Sequence, residues 1–322
     1  MLVLAPLLAA LHSRVQLRQG DSLRQNDLLR EKDLLRRPED PAKPKTIPQT
    51  TQQLRWFALA DSGSGDQAQR GVARLMARRH QDSPVDLVIH AGDILYDNRP
   101  DALERLLRRP YAPLLAAGVP FHAVLGNHDL GNDGGAALLE APELGMEGRW
   151  YSLVRGPVRF VMLDTNTDAR WQHQLPWLKR VLRDNSSPWI VVVGHHPIVS
   201  SGLYGNDAQS YARLAPLFAR HGVQLYLNGH DHHYERTLPL HGTTYLTVGI
   251  GGAVLRPVLP GPGTAAAVSR HGMVEISASS TTLELRAWDL GERLIDAATL
   301  NRDGSLQPGG SARAAAQPAA LN

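Results

Sequence analysis

The sequence predicts an α/β fold with mixed β-sheets. Apolar segments of strand length alternate with segments of helical periodicity over most of the chain, which is the pattern of α/β proteins. Between residues 151 and 164, and again after residue 244, apolar segments follow one another without a helix, as in paired strands. Five apolar segments also end beside a glycine and a polar residue, and ligands in open α/β sheets gather beyond the carboxyl ends of strands.

Each predicted element is bounded by a change of pattern. Strands are predicted over residues 54–60, 86–91, 121–125, 189–193, 223–227, 244–248, 273–278 and 283–288, with a hairpin over residues 151–164. Helices are predicted over residues 66–80, 101–117, 171–183 and 210–221, where apolar residues recur at helical spacing.

The two ends of the chain differ from the middle in composition. Residues 1–11 are apolar, as in the core of a signal peptide, but no basic segment precedes them and no clear A-x-A cleavage site follows. Residues 12–37 indicate an amphipathic helix or a disordered arm, and a Pro-rich linker follows. We therefore expect a leader, arm and linker over residues 1–52, a folded catalytic domain over residues 53–300 and a flexible tail over residues 301–322.

Bulk composition excludes several classes of function. The chain has 322 residues and no cysteine, so disulfides, zinc–thiolate sites and thiol catalysis are excluded. The net charge of +3 does not indicate nucleic-acid binding. Residues 1–11 are too few to span a bilayer, and no later segment is long and apolar enough to do so, so we expect no stable membrane insertion.

Side chains with metal-binding chemistry follow the predicted strands. They are Asp61, Asp93, Tyr96, Asn127, His195, His230 and His232. This mixture of oxygen and nitrogen donors suits Fe, Mn or Zn. A carboxylate can bridge two ions, and two ions about 3.5–4 Å apart form the clamp used in phosphoryl hydrolysis. His230 and His232 are separated by one residue, so in an extended segment both project to the same face.

The order of these residues resembles a known signature. The blocks are D-x-G at Asp61, G-D-x-x-Y at Gly92, G-N-H-D at Gly126, V-x-x-H at Val192 and G-H-x-H at Gly229. Together they are similar to the five-block signature of purple acid phosphatases, in the calcineurin-like metallophosphoesterase superfamily. The resemblance implies a four-layer α/β/β/α sandwich with two mixed β-sheets.

One position selects the subfamily that the chain resembles. Most members of the superfamily carry a ligand His as the third residue of the first block, and this chain has Gly63 there. Purple acid phosphatases compensate with a Tyr three residues after the second Asp, where this chain has Tyr96. A tyrosinate is a hard anionic donor that favours Fe(III). The alternative is that Tyr96 is only a packing aromatic.

The resemblance also implies a role for each donor. The first ion, Fe(III) in the family, takes Asp61, Asp93, Tyr96 and His232. The second ion, which is Fe, Zn or Mn, takes Asp93, Asn127, His195 and His230, so that Asp93 bridges. His128 faces the substrate, binds phosphate and protonates the leaving oxygen, and we expect Asp129 to orient His128 through a hydrogen bond.

The resemblance implies a phosphomonoester hydrolase in which a metal-activated hydroxide attacks phosphorus in line. The substrate would be a small phosphorylated molecule, and export from the cytoplasm is expected because the family is mostly exported. A phosphodiesterase or nucleotidase of the same superfamily is the first alternative, and a metal-binding pseudoenzyme is the second. A serine hydrolase is discounted, since the segment at Ser62 lacks the first glycine of a nucleophile elbow.

Some residues around the motifs have less specific signals. Family pockets often have a further His after the fourth block, but residues 200–209 contain none, and Tyr204, Asn206 and Asp207 are the available polar groups. Glu235 and Arg236 are expected to form a structural pair beside the site. The sequence leaves the oligomeric state open.

Overall fold

The computed structural model describes residues 53–303 and 305–308. The expectations for the leader, arm and linker over residues 1–52, and for the tail beyond residue 308, lie outside these residues. In the described part of the chain, none of the helices combines the length and the apolar character that a membrane span needs.

Fourteen strands and five α-helices make up the described part of the chain. The strands are β1 (Leu54–Leu59), β2 (Leu87–His90), β3 (Phe121–Ala123), β4 (Tyr151–Arg155), β5 (Val158–Met162), β6 (Trp189–Val193), β7 (Leu225–Asn228), β8 (Tyr234–Thr237), β9 (Thr244–Val248), β10 (Thr264–Val268), β11 (Gly272–Ala278), β12 (Thr282–Asp289), β13 (Leu294–Asn301) and β14 (Leu306–Pro308). The helices are α1 (Gln67–Asp82), α2 (Ala112–Ala116), α3 (Ala136–Leu139), α4 (Trp171–Arg183) and α5 (Ala208–His221).

The strands form two mixed sheets of seven strands each. The first has the order β14-β13-β12-β11-β1-β2-β3, and the second has the order β10-β8-β9-β7-β6-β5-β4. In the first sheet β1, β2 and β3 run parallel, and in the second β5, β6, β7 and β9 do. Antiparallel strands flank both parallel sets.

The two sheets pack face to face and carry helices on their outer faces. Trp56 and Phe160, from β1 and β5, meet edge to face between the sheets with ring centroids 5.3 Å apart. Phe57 points to the opposite face of β1 and packs in a cluster with α1, as the two-residue period of a strand requires. A third cluster joins the second sheet to α4 and α5. The predicted α/β/β/α sandwich with two mixed sheets is confirmed.

Several predicted elements differ in extent or were missed. The single helix predicted over residues 101–117 is instead a π-helical turn (Glu104–Arg108) followed by α2. Pro110, which lies between the two, has no N–H to continue the helical hydrogen bonds, whereas Pro113 lies in the first turn of α2, where none is needed. The sequence analysis did not predict β8, β10, β13 or β14. The first sheet extends through β14, beyond residue 300, where the sequence analysis ended the domain.

Candidate functional site

The predicted metal ligands lie beyond the carboxyl ends of parallel strands. Asp61 follows β1, Asp93 follows β2, Asn127 follows β3, His195 follows β6 and His230 follows β7. Three of them lie in the left-handed region of backbone conformation, with φ of 56° at Asp61, 59° at Asp93 and 67° at His230. Residues other than glycine rarely adopt this conformation, and such strain concentrates at functional sites.

Asp61, Tyr96 and His232 form the first donor cluster. The Tyr96 hydroxyl lies 3.2 Å from Asp61 Oδ1 and 3.2 Å from His232 Nε2. His232 Nε2 lies 3.4 Å from the same carboxylate oxygen. Three donors from three different blocks therefore converge on one point, and they are donors that the sequence analysis assigned to the first ion.

Asp93, Asn127, His195 and His230 form the second donor cluster. His195 Nε2 lies 3.2 Å from Asn127 Oδ1 and 3.4 Å from Asp93 Oδ2. The ring of His230 is packed against that of His195 with centroids 5.2 Å apart. His196 lies beside both, and its donor nitrogen falls within 4.8 Å of those of His195 and His230.

Asp93 lies between the two clusters and has the chemistry of a bridging ligand. Donor atoms of Asp61, Asp93 and His195 lie within 4.8 Å of one another. Asp93 is 1% exposed, and among the described residues its Oδ2 has no hydrogen-bond partner, while Oδ1 accepts from the backbone N–H of His128 at 2.9 Å. A buried carboxylate oxygen without a partner is unfavourable unless a cation binds it. The residues present therefore fit a two-cation centre.

Backbone carbonyls orient two of the ligand histidines. His195 Nδ1 lies 2.8 Å from the carbonyl oxygen of Ala91, and His232 Nδ1 lies 2.8 Å from that of Val254. Because a carbonyl only accepts, each Nδ1 carries a proton, and each Nε2 faces its donor cluster, where it can bind a cation once it is deprotonated. This arrangement is the one that metal-binding histidines usually have.

The buried donors have shifted pKa values. Burial disfavours the charged form of His195, but the Asp93 carboxylate outweighs it and raises the pKa of His195 to about 10. Burial and the charge of His195 lower the pKa of His230. Burial and the carboxylates of Asp61 and Asp93 raise the pKa of Tyr96 far above its usual value. The Tyr96 phenol therefore keeps its proton unless a cation compensates the surrounding negative charge.

Gly63 and Gly126 allow the loops to approach one another closely. A Cβ at Gly63 would overlap the backbone carbonyl of Ile94, so the loop that carries Tyr96 leaves no room for a side chain there. A Cβ at Gly126 would overlap the Asp93 carboxylate. The structure thus gives a steric reason for glycine where most members of the superfamily have histidine.

His128 lies at the open side of the site. Its side chain is exposed, and its ring packs on that of Tyr96 with centroids 4.4 Å apart. Its backbone N–H donates to Asp93, which ties the position of the residue to the bridging carboxylate. This placement is compatible with the predicted contact between His128 and substrate.

The expected hydrogen bond between His128 and Asp129 is not formed. The Asp129 carboxylate is 3% exposed and accepts hydrogen bonds from four backbone N–H groups, those of residues 93–95 and of Gly126, at 2.7–2.8 Å. The chain turns so that His128 faces solvent while Asp129 faces inward. Asp129 therefore holds together the loops after β2 and β3.

The expected pair of Glu235 and Arg236 is also wrong. Adjacent residues of a strand point to opposite faces of a sheet. Arg236 forms a buried ion pair with Asp296 of β13 at 2.6 Å. Glu235 instead accepts from the backbone N–H of Ser201 at 2.7 Å and from Thr264. The partner of Arg236 lies on a strand that the sequence analysis did not predict.

Sequence reasoning gave no role to two residues at the rim of the site. The ring of Tyr204 is stacked on the ligand His230, with centroids 4.3 Å apart and planes 22° apart. The guanidinium of Arg256 lies over the Tyr204 ring, with its carbon atom 4.8 Å from the ring centroid. In the sequence, Tyr204 was noted only as a polar residue of the segment 200–209, which lacks the further His of family pockets. Nothing in the sequence pointed to Arg256.

The fold and the paired donor clusters define a metallophosphoesterase with a dinuclear metal centre. The profile of the calcineurin-like phosphoesterase family matches residues 54–234, and the chain therefore belongs to that family.

Related proteins include named acid phosphatases. Purple acid phosphatase 4 of Arabidopsis thaliana is 29% identical over 216 residues, which are 56% of this chain and 62% of that protein. Tartrate-resistant acid phosphatase type 5 of Mus musculus is 28% identical over 239 residues, covering 62% of this chain and 73% of that protein. The match thus spans less than two thirds of the plant relative.

Solved structures share the fold at low sequence identity. A purple acid phosphatase from yellow lupin, PPD1, superposes with a TM-score of 0.71 at 20% identity, covering 80% of this chain and 56% of that one. GAP50, described as the anchor in the inner membrane complex of Plasmodium, superposes with a TM-score of 0.68 at 21% identity, covering 77% of this chain and 89% of that one. At such identities the likeness concerns the fold alone.

Proposed function

We propose that this protein hydrolyses phosphomonoesters at a centre of two metal ions, as the purple acid phosphatases that it resembles do. The observation that carries the proposal is the convergence of seven donors from five loops around Asp93, whose buried Oδ2 has no partner among the described residues. Membership of the calcineurin-like phosphoesterase family supports the same class of reaction.

The two donor clusters support the assignment of ligands to ions. We assign Asp61, Asp93, Tyr96 and His232 to an Fe(III) ion, and Asp93, Asn127, His195 and His230 to a second ion, Fe, Zn or Mn. When bound, two such cations supply Lewis acidity, which activates water and neutralises charge on the phosphoryl oxygens. His195, protonated at neutral pH without a cation, must release its Nε2 proton to act as a ligand.

His128 supplies a proton to the leaving oxygen. Its exposed ring lies against Tyr96 at the mouth of the site, and its backbone is hydrogen-bonded to Asp93. Protonation matters most for alkoxide leaving groups, which are poor without it. Asp129 contributes indirectly, because it fixes the loops that carry Asp93 and Asn127.

The first test is metal content with a visible spectrum and turnover. Protein loaded with iron and zinc is expected to hold two ions, to show a broad tyrosinate-to-iron band and to hydrolyse p-nitrophenyl phosphate faster than bis(p-nitrophenyl) phosphate. Tyr96→Phe should abolish the band. Tyr111→Phe, a change in a buried tyrosine of the core beside α1, is the matched control and should keep it.

Different failures refute different parts of the proposal. A loaded protein that binds no metal and cleaves neither ester would refute the hydrolase assignment. An active, colourless enzyme would retain the hydrolase and refute the iron–tyrosinate ligation. Faster cleavage of the bis-ester would favour a phosphodiesterase. The expected export, which rests on the family being mostly exported, stays a prediction.

A further inference from the structure

Arg256 carries a positive charge that no described residue neutralises. Its side chain is half-buried, and its Nη1 is fully buried without a hydrogen-bond partner among the described residues. No carboxylate in the described part of the chain forms an ion pair with it. A guanidinium withdrawn from water without a partner is unfavourable, and it is well shaped to bind an anionic oxygen when one arrives.

The backbone of Arg256 is fixed to the metal site. Its N–H donates to the carbonyl oxygen of His232 at 3.0 Å, and the carbonyl oxygen of Val254 binds His232 Nδ1 at 2.8 Å. The segment 254–256 is therefore tied to a predicted ligand of the first ion.

The ring of Tyr204 holds the guanidinium of Arg256 at the rim of the site. Tyr204 is 50% exposed, and its ring is stacked on that of His230 with centroids 4.3 Å apart, while the guanidinium carbon lies over the same ring, 4.8 Å from its centroid. A cation over an aromatic face is stabilised, and a stacked arginine keeps its planar donors oriented.

The loop that carries Tyr204 is anchored to the same metal motif. Ser200 Oγ donates to Asp231 Oδ2 at 2.5 Å, and Asp231 lies between the two ligand histidines of its block. The backbone N–H of Ser201 donates to Glu235 at 2.7 Å. The Tyr204–Arg256 pair is thus positioned relative to the donors of both ions, although its members are far apart in sequence.

We propose that Arg256, held over Tyr204, binds a second anionic group on the leaving portion of the substrate. The guanidinium is held by the ring of Tyr204, which is not one of the seven donors and is itself stacked on the ligand His230. A phosphoryl group at the ions is therefore not its natural partner, and a carboxylate or second phosphate carried by the same molecule is. This inference rests on the proposed phosphomonoesterase function.

The kinetic test compares two substrates that differ by one carboxylate. We expect the metal-loaded enzyme to prefer 3-phosphoglycerate to glycerol 3-phosphate. Arg256→Met should lower kcat/KM for 3-phosphoglycerate about tenfold to a hundredfold, through KM, because a hydrogen bond between charged groups is lost. The same variant should change glycerol 3-phosphate less than about twofold.

Matched variants separate the proposed contact from general damage. Arg213→Met removes another guanidinium that is stacked on an aromatic ring, 4.6 Å from the centroid of Trp171, and should leave both substrates unchanged. Tyr204→Phe keeps the stacking ring and should keep the preference for 3-phosphoglycerate. Tyr204→Ala removes the ring and should reduce that preference.

A binding measurement decides the role of Arg256 independently of turnover. Calorimetric titration of the metal-loaded protein with phosphonoacetate and with methylphosphonate should show tighter binding of phosphonoacetate, and Arg256→Met should remove the difference. Equal losses for both compounds, or no loss for either, would overturn the proposed contact. An inactive wild-type protein would refute the hydrolase, and the ratio of the two binding constants would still decide whether Arg256 recognises the second anion.

Discussion

Replacing Asp129 by Asn should destabilise the protein strongly although the change is nearly isosteric. Each oxygen of the Asp129 carboxylate accepts two backbone N–H groups, at 2.7 and 2.8 Å for Oδ2 and at 2.8 and 2.8 Å for Oδ1. In the variant one oxygen becomes an NH₂ group, which cannot accept. Two buried backbone N–H groups then face another donor and have no acceptor.

The magnitude follows from the bonds that are lost. A buried N–H group left without an acceptor costs roughly 1–3 kcal/mol, so the loss of two acceptors predicts a decrease of about 2–6 kcal/mol in the free energy of unfolding. That is a large share of the roughly 5–15 kcal/mol by which proteins are stable. The loops after β2 and β3 would also lose their mutual anchor, so metal affinity and turnover should fall with stability.

Urea unfolding followed by tryptophan fluorescence measures this loss, with a chelator present so that metal affinity does not contribute. Asp133→Asn is the matched control, because Asp133 also accepts two backbone N–H groups, at 2.9 and 3.0 Å, but on an exposed loop. It should change the free energy of unfolding by less than about 1 kcal/mol. An Asp129→Asn protein with wild-type stability and greatly reduced turnover would refute the anchoring role and restore a direct action on His128.

Three further predictions concern the site and the central strand β11 of the first sheet. Gly63→Ala should lower stability by about 1–3 kcal/mol and weaken metal binding, because the new Cβ overlaps the Ile94 carbonyl; unchanged metal content would contradict this steric reasoning. Glu275→Gln should destabilise the protein at neutral pH. Burial opposes the charged form of Glu275, but its bonds to Arg79 hold its pKa below the usual 4.5, so its contribution is present above pH 4.5 and disappears as the pH falls through the lowered value. Unfolding at several pH values should therefore show the difference between wild type and variant shrinking in acid, and a constant difference would argue against the ion pair. His128→Ala should retain both metals, as measured by elemental analysis. Its kcat on alkyl phosphates should fall at least about tenfold, with a smaller loss on p-nitrophenyl phosphate, whose leaving group needs less protonation. A variant that hydrolyses alkyl phosphates as fast as the wild type would rule out proton donation by His128.

Local signals in the sequence were sufficient to predict the fold class and the positions of the donors. Asp61, Asn127 and His195 each follow a short apolar segment, and an apolar strand buried on both faces is visible without knowledge of its neighbours. The direction of such a strand determines which end bears the ligand. Interrupted or weakly apolar elements were harder to predict. The helix expected over residues 101–117 is interrupted at Pro110, and the Ala-rich strand β10 was not recognised as a strand.

Side-chain direction within a loop could not be predicted from adjacency. His128 and Asp129 are neighbours in sequence, yet one faces solvent and the other is buried under four N–H groups. Glu235 and Arg236 are neighbours on one strand, yet they bind different partners. In both cases the path of the backbone decides which groups meet, and that path depends on distant loops.

By itself the sequence determined which residues could bind two cations, because donor type and position after a strand are local properties. Only the tertiary structure decided why Gly63 can have no side chain, and that the ring of Tyr204 contacts both His230 and the guanidinium of Arg256. These contacts join segments from both sheets. Their geometry depends on how the two sheets pack, which no single segment of the chain specifies.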